Sequence, residues 1–313
     1  MARNVNDLYV DILHRLRYAP THSTRNGKVK CLEEPSVWNI REPDERVLLN
    51  DERQANPYFH VMETVWMFSG SNRADWLEPF NGNIMNYAND GIINGAYGNR
   101  WTQHFGINQI ENAIDELRLH PNSRQAVIAM YDPTVDYLPE WRDRPCNTHL
   151  YFRVLNDKLE MTVCNRSNDA VWGLLGANIV HMTYLQEYIA FALSMEMGNY
   201  YVMTNNLHVY EPHWHLLESP VNDSALTPND IKPSPLLKGG ENRHQLIAEC
   251  KDFVNGGDIA DAECSWMKGV VQPMYEHYTC RAMGDTSTYD INETEASDWR
   301  EAERRWKGWK GDE

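Results

Sequence analysis

The sequence predicts an α/β chain built as one large domain, or as one domain carrying an appended segment. Three observations lead there. Apolar residues recur at helical spacing in several separate stretches, two alternating runs flank an Asn-Asp turn, and the composition changes near residue 219. With 313 residues and 42% apolar content, including 11 Trp and 16 Tyr, a sizeable core is available and wholesale disorder is excluded.

Val5, Leu8, Ile12, Leu13 and Leu16 predict a helix over about 5–18, closed by Pro20. The turn-rich stretch THSTRNGK then reads as a loop carrying Arg25. Residues 59–69 read as a buried helix with Glu63 inside its apolar face, and 107–119 as an amphipathic helix. AVIAMY, after Arg124, reads as a strand. Residues 148–155 and 158–164 read as a hairpin turning at Asn156-Asp157. The longest helix is expected over 178–196, and 200–210 returns to strand. From about 219 the chain turns Pro-, Asn- and Asp-rich, with a helical patch near 243–254 and a polar, Trp-punctuated tail. The reading is therefore a catalytic core over 1–218 and a C-terminal extension over 219–313, packed on the same domain.

The formal charge of −16 argues against nucleic-acid binding, which draws its affinity from basic surface. An anionic ligand must be held by a few placed arginines, which suits a small nucleotide. The six cysteines are scattered without a CxxC pair, so no metal site and no disulfide framework are signalled. The start lacks an apolar signal core, and the most apolar helix is interrupted by Gln186 and Glu187. No membrane span and a cytoplasmic location are expected.

Cys146 follows Pro145 in the polar loop WRDRPCNTH, with Arg142 and Arg144 close in sequence and Arg166 in the motif NRSND. Arginines near a thiol favour the thiolate, which a nucleophilic cysteine needs; a lowered pKa is therefore expected.

The order of motifs resembles the thymidylate synthase superfamily over roughly residues 5–215: STRNG, HVMETVWMFSG, GAYGNRW, NSRQ, the Pro-Cys pair at Cys146, NRSND, WGLLGAN and NLHVYEPH. The resemblance implies a three-layer fold with a twisted, mostly antiparallel sheet whose face is buried against a second subunit. It implies that Cys146 adds to C6 of a pyrimidine nucleoside monophosphate, making C5 nucleophilic toward the one-carbon unit of 5,10-methylenetetrahydrofolate. Glu63 matches the family's general acid/base and Tyr97 the tyrosine assisting proton removal at C5. Arg25, Arg166 and Ser167 match phosphate ligands of the same subunit. Arg124 matches one of two arginines donated across the homodimer interface, the second being Gln125 here. His208 and Tyr210 match the pair holding the sugar hydroxyl, and Asp169 the carboxylate meeting the pterin.

Four departures shape the functional expectation. The uracil-reading asparagine is Ala177 when counted from Gly173, or Asn178 with a one-residue offset. The histidine usual after the cysteine is Asn147. The folate-facing, tryptophan-rich stretch reads IMNYANDG, with Tyr87 its only aromatic. The chain ends in Lys, Gly, Asp and Glu rather than an apolar lid; Trp266, Trp299, Trp306 or Trp309 would then be core residues or a substitute lid. Water reaching the reactive carbon favours a hydroxymethyl product, as in the phage deoxycytidylate hydroxymethylases that the RSND and LHVY motifs also resemble. The sequence thus points to a pyrimidine nucleotide 5-hydroxymethyltransferase, with dCMP slightly favoured over dUMP and CMP possible. Thymidylate synthase is the alternative, and an idle nucleotide-binding homologue a distant third.

Overall fold

The computed structural model describes residues 1–218, 231–284 and 290–308. Helix α1 (Val5–Arg17) is capped by the Asn4 side chain and buries Val5, Leu8, Ile12, Leu13 and Leu16. The next stretch is not a loop. Strands β1 (Thr21–Thr24) and β2 (Gly27–Cys31) form an antiparallel hairpin with Arg25 in its turn. Every residue of β1 is exposed, so no alternation marks it in the sequence. Strand β3 (Ser36–Ile40) was also unsignalled. Helix α2 (Pro57–Ser69) starts with Pro57 behind an Asn56 cap and stops at Gly70, whose φ of 73° suits glycine. Helices α3 (Tyr97–Thr102) and α4 (Gln109–Leu119) follow, then β4 (Val127–Ala129), β5 (Asn147–Leu155) and β6 (Lys158–Asn165). Asn156 and Asp157 both take positive φ in the β5–β6 turn, as the dipeptide predicts.

After the short β7 (Asn168–Asp169), a wide π-type turn over Ala170–Asn178 leads into α5 (Ile179–Ala192). Gly176 leaves helical geometry there, with φ −107° and ψ −117°. The helix ends earlier than its apolar run suggested, because Ser194 reverses the chain with φ 56°. Strands β8 (Glu196–Thr204) and β9 (Leu207–Tyr210) then divide the expected 200–210 strand between two sheets. Helices α6 (His215–Glu218), α7 (Arg243–Val254), α8 (Gln272–Ala282) and α9 (Ser297–Arg305) complete the described chain.

The five-stranded sheet runs β3-β8-β6-β5-β4 and is antiparallel except for β6 and β8, which α5 connects as a crossover. A smaller sheet runs β1-β2-β9-β7. One face of the large sheet buries Ile128, Leu150, Phe152, Met161, Val163 and Val202. The sheet is one layer, α5 and the α2 that packs on it the second, and α7, α8 and α9, which cover α2, the third. All thirteen residues of α2 are buried as a result. Trp266 and Trp299 are buried and both donate to Tyr184 Oη, at 3.1 and 2.8 Å, so they are core and form no lid. Trp306 packs on Tyr58. Trp309 and the terminal Lys, Gly, Asp and Glu lie outside the described residues. Among the described residues no helix is long and apolar enough to cross a membrane, and no group of side chains could hold a metal ion.

Candidate active site

The loop 94–98 is locked by internal bonds. Arg100 and Asp136 form a fully buried ion pair at 2.7 Å, and Asn94 Nδ2 donates to the same carboxylate at 2.7 Å. Gly95 N donates to Asp143 Oδ2 at 2.6 Å. A Cβ on Gly95 would meet Asp143 and the Pro145 backbone at 2.7 and 2.9 Å, and one on Gly98 would collide with the Met67 backbone of α2. Both glycines of GAYG are therefore needed to press Tyr97 between α2 and the Cys146 loop. Tyr97 Oη accepts from the backbone N–H of Cys146 (3.2 Å) and of Asn147 (3.3 Å). Burial, with Cys146 beside it, pushes the phenol well above its ordinary range.

Arg166 folds back on the cysteine loop. Its Nε donates to Pro145 O at 2.8 Å, and its Nη2 lies 2.9 Å from Arg144 O and 3.7 Å from Cys146 Sγ. Among the described residues only this guanidinium reaches the sulfur: Arg144 turns toward Leu138 O, and Arg142 is exposed. The expected lowered thiol pKa does not hold. Burial pushes the Cys146 thiol up, Arg166 pulls it down, and Asp143 and Asp169 add to the rise. Asn147 is fully buried and its Oδ1 accepts from Asn165 Nδ2, while its own Nδ2 has no partner among the described residues.

Glu63, in the middle of α2, is buried and meets His181 Nδ1 through Oε2 at 3.3 Å. The His181 ring lies 5.8 Å from that of Tyr97. One turn before Glu63, His60 is buried beside Arg53, and burial pushes its imidazole down to about 3. His181, His60 and Arg53 were not anticipated. A histidine inside an apolar helix reads as core, although His181 stands three residues after Asn178 on the same helical face.

The parallel pairing of β7 with β9 sets Asp169 opposite His208. His208 is buried with Nδ1 3.0 Å from Asn206 Oδ1, and its ring lies edge-on to Tyr210 at 5.0 Å. Burial pushes the His208 imidazole down, against the pull of Asp169. Asp169 caps the wide turn by accepting from Val171 N (2.7 Å) and Trp172 N (3.2 Å). Trp172, half exposed, stacks on Arg53 and donates Nε1 to His213 at 2.7 Å, an aromatic platform that supplements the exposed Tyr87. Ala177 is partly buried against the core. Asn178 instead approaches the β7 strand, its Nδ2 3.4 Å from Asn168 Oδ1.

Ser167 is half-buried between Arg166 and β7. Arg25 lies at the exposed hairpin turn and makes no ion pair among the described residues. Arg124 and Gln125 are exposed. Arg124 lines a depression of about 440 Å³ on the outer face of the large sheet, with Val37, Tyr151, Arg153, Tyr201 and Met203. The structure thus brings together Cys146, Arg166, Tyr97 and Asn147, sets Glu63 against the Tyr97 side through His181, and puts Arg124 on the sheet's open face.

A deoxyuridylate hydroxymethyltransferase of Pseudomonas phage M6 is 33% identical over 97% of this chain and 92% of its own length. Proteins of the same name are similar in Bacillus phage SP01 (35% identical, 65% of this chain, 56% of their length) and Delftia phage PhiW-14 (34%, 67% and 61%). The chain therefore spans nearly all of the first relative and less than two thirds of the other two. The pattern of the thymidylate synthase family matches residues 8–238, a stretch that contains every residue just described. The chain therefore belongs to the thymidylate synthase family of one-carbon transferases.

Proposed function

We propose that this protein is a 5-hydroxymethyltransferase acting on dUMP, with Cys146 as its nucleophile. The observation that carries the reading is the approach of Arg166 and Tyr97 to Cys146 in a chain similar along nearly its whole length to a deoxyuridylate hydroxymethyltransferase. The sequence leaned toward dCMP. The Asn178 amide beside Asn168, just after the non-helical Gly176, supports dUMP instead. An asparagine amide can accept from a uracil ring N–H and donate to its 4-oxygen.

Family members take their one-carbon unit from 5,10-methylenetetrahydrofolate, which supplies a methylene at C5. The exposed Trp172, Tyr87 and the Asp169 carboxylate fit a flat, hydrogen-bonding ring at the mouth of the site. The protein's own work is then local. Arg166 favours the thiolate of Cys146 for addition to C6. Tyr97 Oη, already accepting two N–H groups, would assist proton removal at C5. Glu63 exchanges protons at the base and with attacking water. Arg25, Arg166 and Ser167 would hold the phosphate, with Arg124 of a second copy, and His208 and Tyr210 the sugar. Helices α7, α8 and α9 serve as a jacket that keeps α2 buried.

Incubation with dUMP, dCMP or CMP and methylenetetrahydrofolate should give 5-hydroxymethyl-dUMP and tetrahydrofolate. Methylated product with stoichiometric dihydrofolate would instead assign thymidylate synthase, and turnover of dCMP alone would restore the first preference. For the shared site, an Arg124→Ala chain mixed with a Cys146→Ser chain should regain activity; no regain counts against a homodimer closed over the sheet face.

A further inference from the structure

His181 belongs to none of the motifs that carry the family resemblance, yet its ring meets both Glu63 and Tyr97. Its ring is 2% exposed, and its rings of contact are Tyr97 at 5.8 Å and Trp101 at 6.4 Å. Its single polar contact among the described residues is Nδ1 to Glu63 Oε2, and Nε2 has no partner there. A buried imidazole with one free nitrogen is a poor choice for packing, since leucine would fill similar space without an orphaned polar atom. The remaining reason for a histidine is the contact with the carboxylate.

Resting on the hydroxymethyltransferase reading, we infer that His181 is a positioning residue that decides whether water completes the reaction. Its Nδ1–H, donated to Oε2, fixes the Glu63 side chain and reserves the other oxygen, Oε1, for a proton from water. The step it serves balances as follows. Water oxygen forms a C–O bond to the exocyclic methylene carbon, and its proton passes to Glu63. The C=C electron pair moves into the ring as the C4 enolate. Collapse of that enolate forms the C5=C6 bond, breaks the C6–S bond and returns Cys146 as thiolate. Without the donor, the carboxylate is free to turn away and the methylene stage is reached but not hydrated.

Three variants separate this from a packing role. His181→Asn keeps a side-chain N–H near the Nδ1 position, His181→Gln offers one near the Nε2 position, and His181→Leu offers none. Each would be given C5-tritiated dUMP and methylenetetrahydrofolate with 2-mercaptoethanol present, whose thiol captures the methylene as a thioether. Tritium release reports the steps before water, the ratio of hydroxymethyl product to thioether reports water addition, and dUMP binding without folate reports an intact nucleotide site. The Leu and Gln variants should bind dUMP much as the wild type does, and their tritium release should fall far less than their hydroxymethyl product. Their hydroxymethyl product should fall by about a hundredfold, with thioether in its place. The Asn variant should recover most of the loss. An unchanged product ratio in the Leu or Gln variant, or an Asn variant no better than Gln, overturns the inference. If Leu does not fold, Gln carries the comparison alone. A wild type that gives no hydroxymethyl product removes the parent reading and this inference together, whereas wild-type product with an unchanged variant ratio removes only this one.

Discussion

Helix α5 carries two buried polar clusters one turn apart, and they are finished differently. Around His181, the imidazole Nε2 and, nearby, the Asn147 amide nitrogen lack partners among the described residues. Around Tyr184 the partners are dense. Tyr184 Oη accepts from Trp266 and Trp299, Arg46 stacks on its ring at 3.8 Å, and Arg46 reaches Glu187 at 2.5 Å and Thr183 at 3.0 Å. Glu187 Oε1 also accepts from Leu236 N at 2.7 Å. The second cluster spends its polar groups joining α5 to the C-terminal third. The first leaves bonding capacity open, and open capacity in a buried place is what a ligand or reacting group can use.

Substitutions should therefore divide the two clusters, activity failing at one and stability at the other. The largest effect is expected from Cys146→Ser, which should lower the product rate by at least about 10⁴-fold with an unchanged melting temperature. A parallel loss of stability would blur the distinction. Next, Arg46→Met strands the Glu187 carboxylate and should cost about 3–5 kcal/mol by denaturant unfolding, while turnover of the folded protein at low temperature stays near wild type. A stable but inactive Arg46→Met protein would show that the second cluster also serves the reaction.

Proton linkage gives a smaller and subtler pair of tests. Burial pushes the Asp298 carboxyl up to about 7, from an ordinary 3.8. Between those values the folded chain holds a proton that the unfolded chain has lost, so stability falls as pH rises through this window. Asp298→Asn should then stabilise by on the order of 3 kcal/mol at pH 8 and change little near pH 4. His60 runs the other way. Its folded value of about 3 lies below the ordinary 6.5, so the unfolded chain binds the extra proton and stability is lost as pH falls from about 6.5 toward 3. In the wild type the two slopes oppose each other over the shared range. In an Asp298→Asn background stability should fall by about 1 kcal/mol per pH unit below pH 6.5, and adding His60→Gln should flatten it. A slope unchanged by the second substitution would remove His60 from the account.

Much of the fold was legible because periodicity records burial. Helices α1, α2, α4 and α7 and the β5–β6 hairpin stand within two residues or so of their expected bounds. Strand β1 was hidden because both of its faces meet solvent, and the end of α5 because an apolar run continues past Ser194. At the site, motif order indicated Cys146, Glu63, Tyr97 and Arg166. It said nothing of His181, whose partner lies 118 positions away. The direction of the Cys146 shift was also illegible, because neighbouring arginines are visible in a sequence and desolvation is not.

The wholly buried α2 has a consequence for how the protein comes to exist. The helix bearing Glu63 is synthesised early, yet α7, α8 and α9, its outer cover, are synthesised last. During translation its outer face must wait, uncovered, until nearly the entire polypeptide has emerged, and contacts so distant along a chain form slowly. Maturation of this enzyme should consequently be the stage most sensitive to temperature and to chaperone supply, well before any nucleotide is bound.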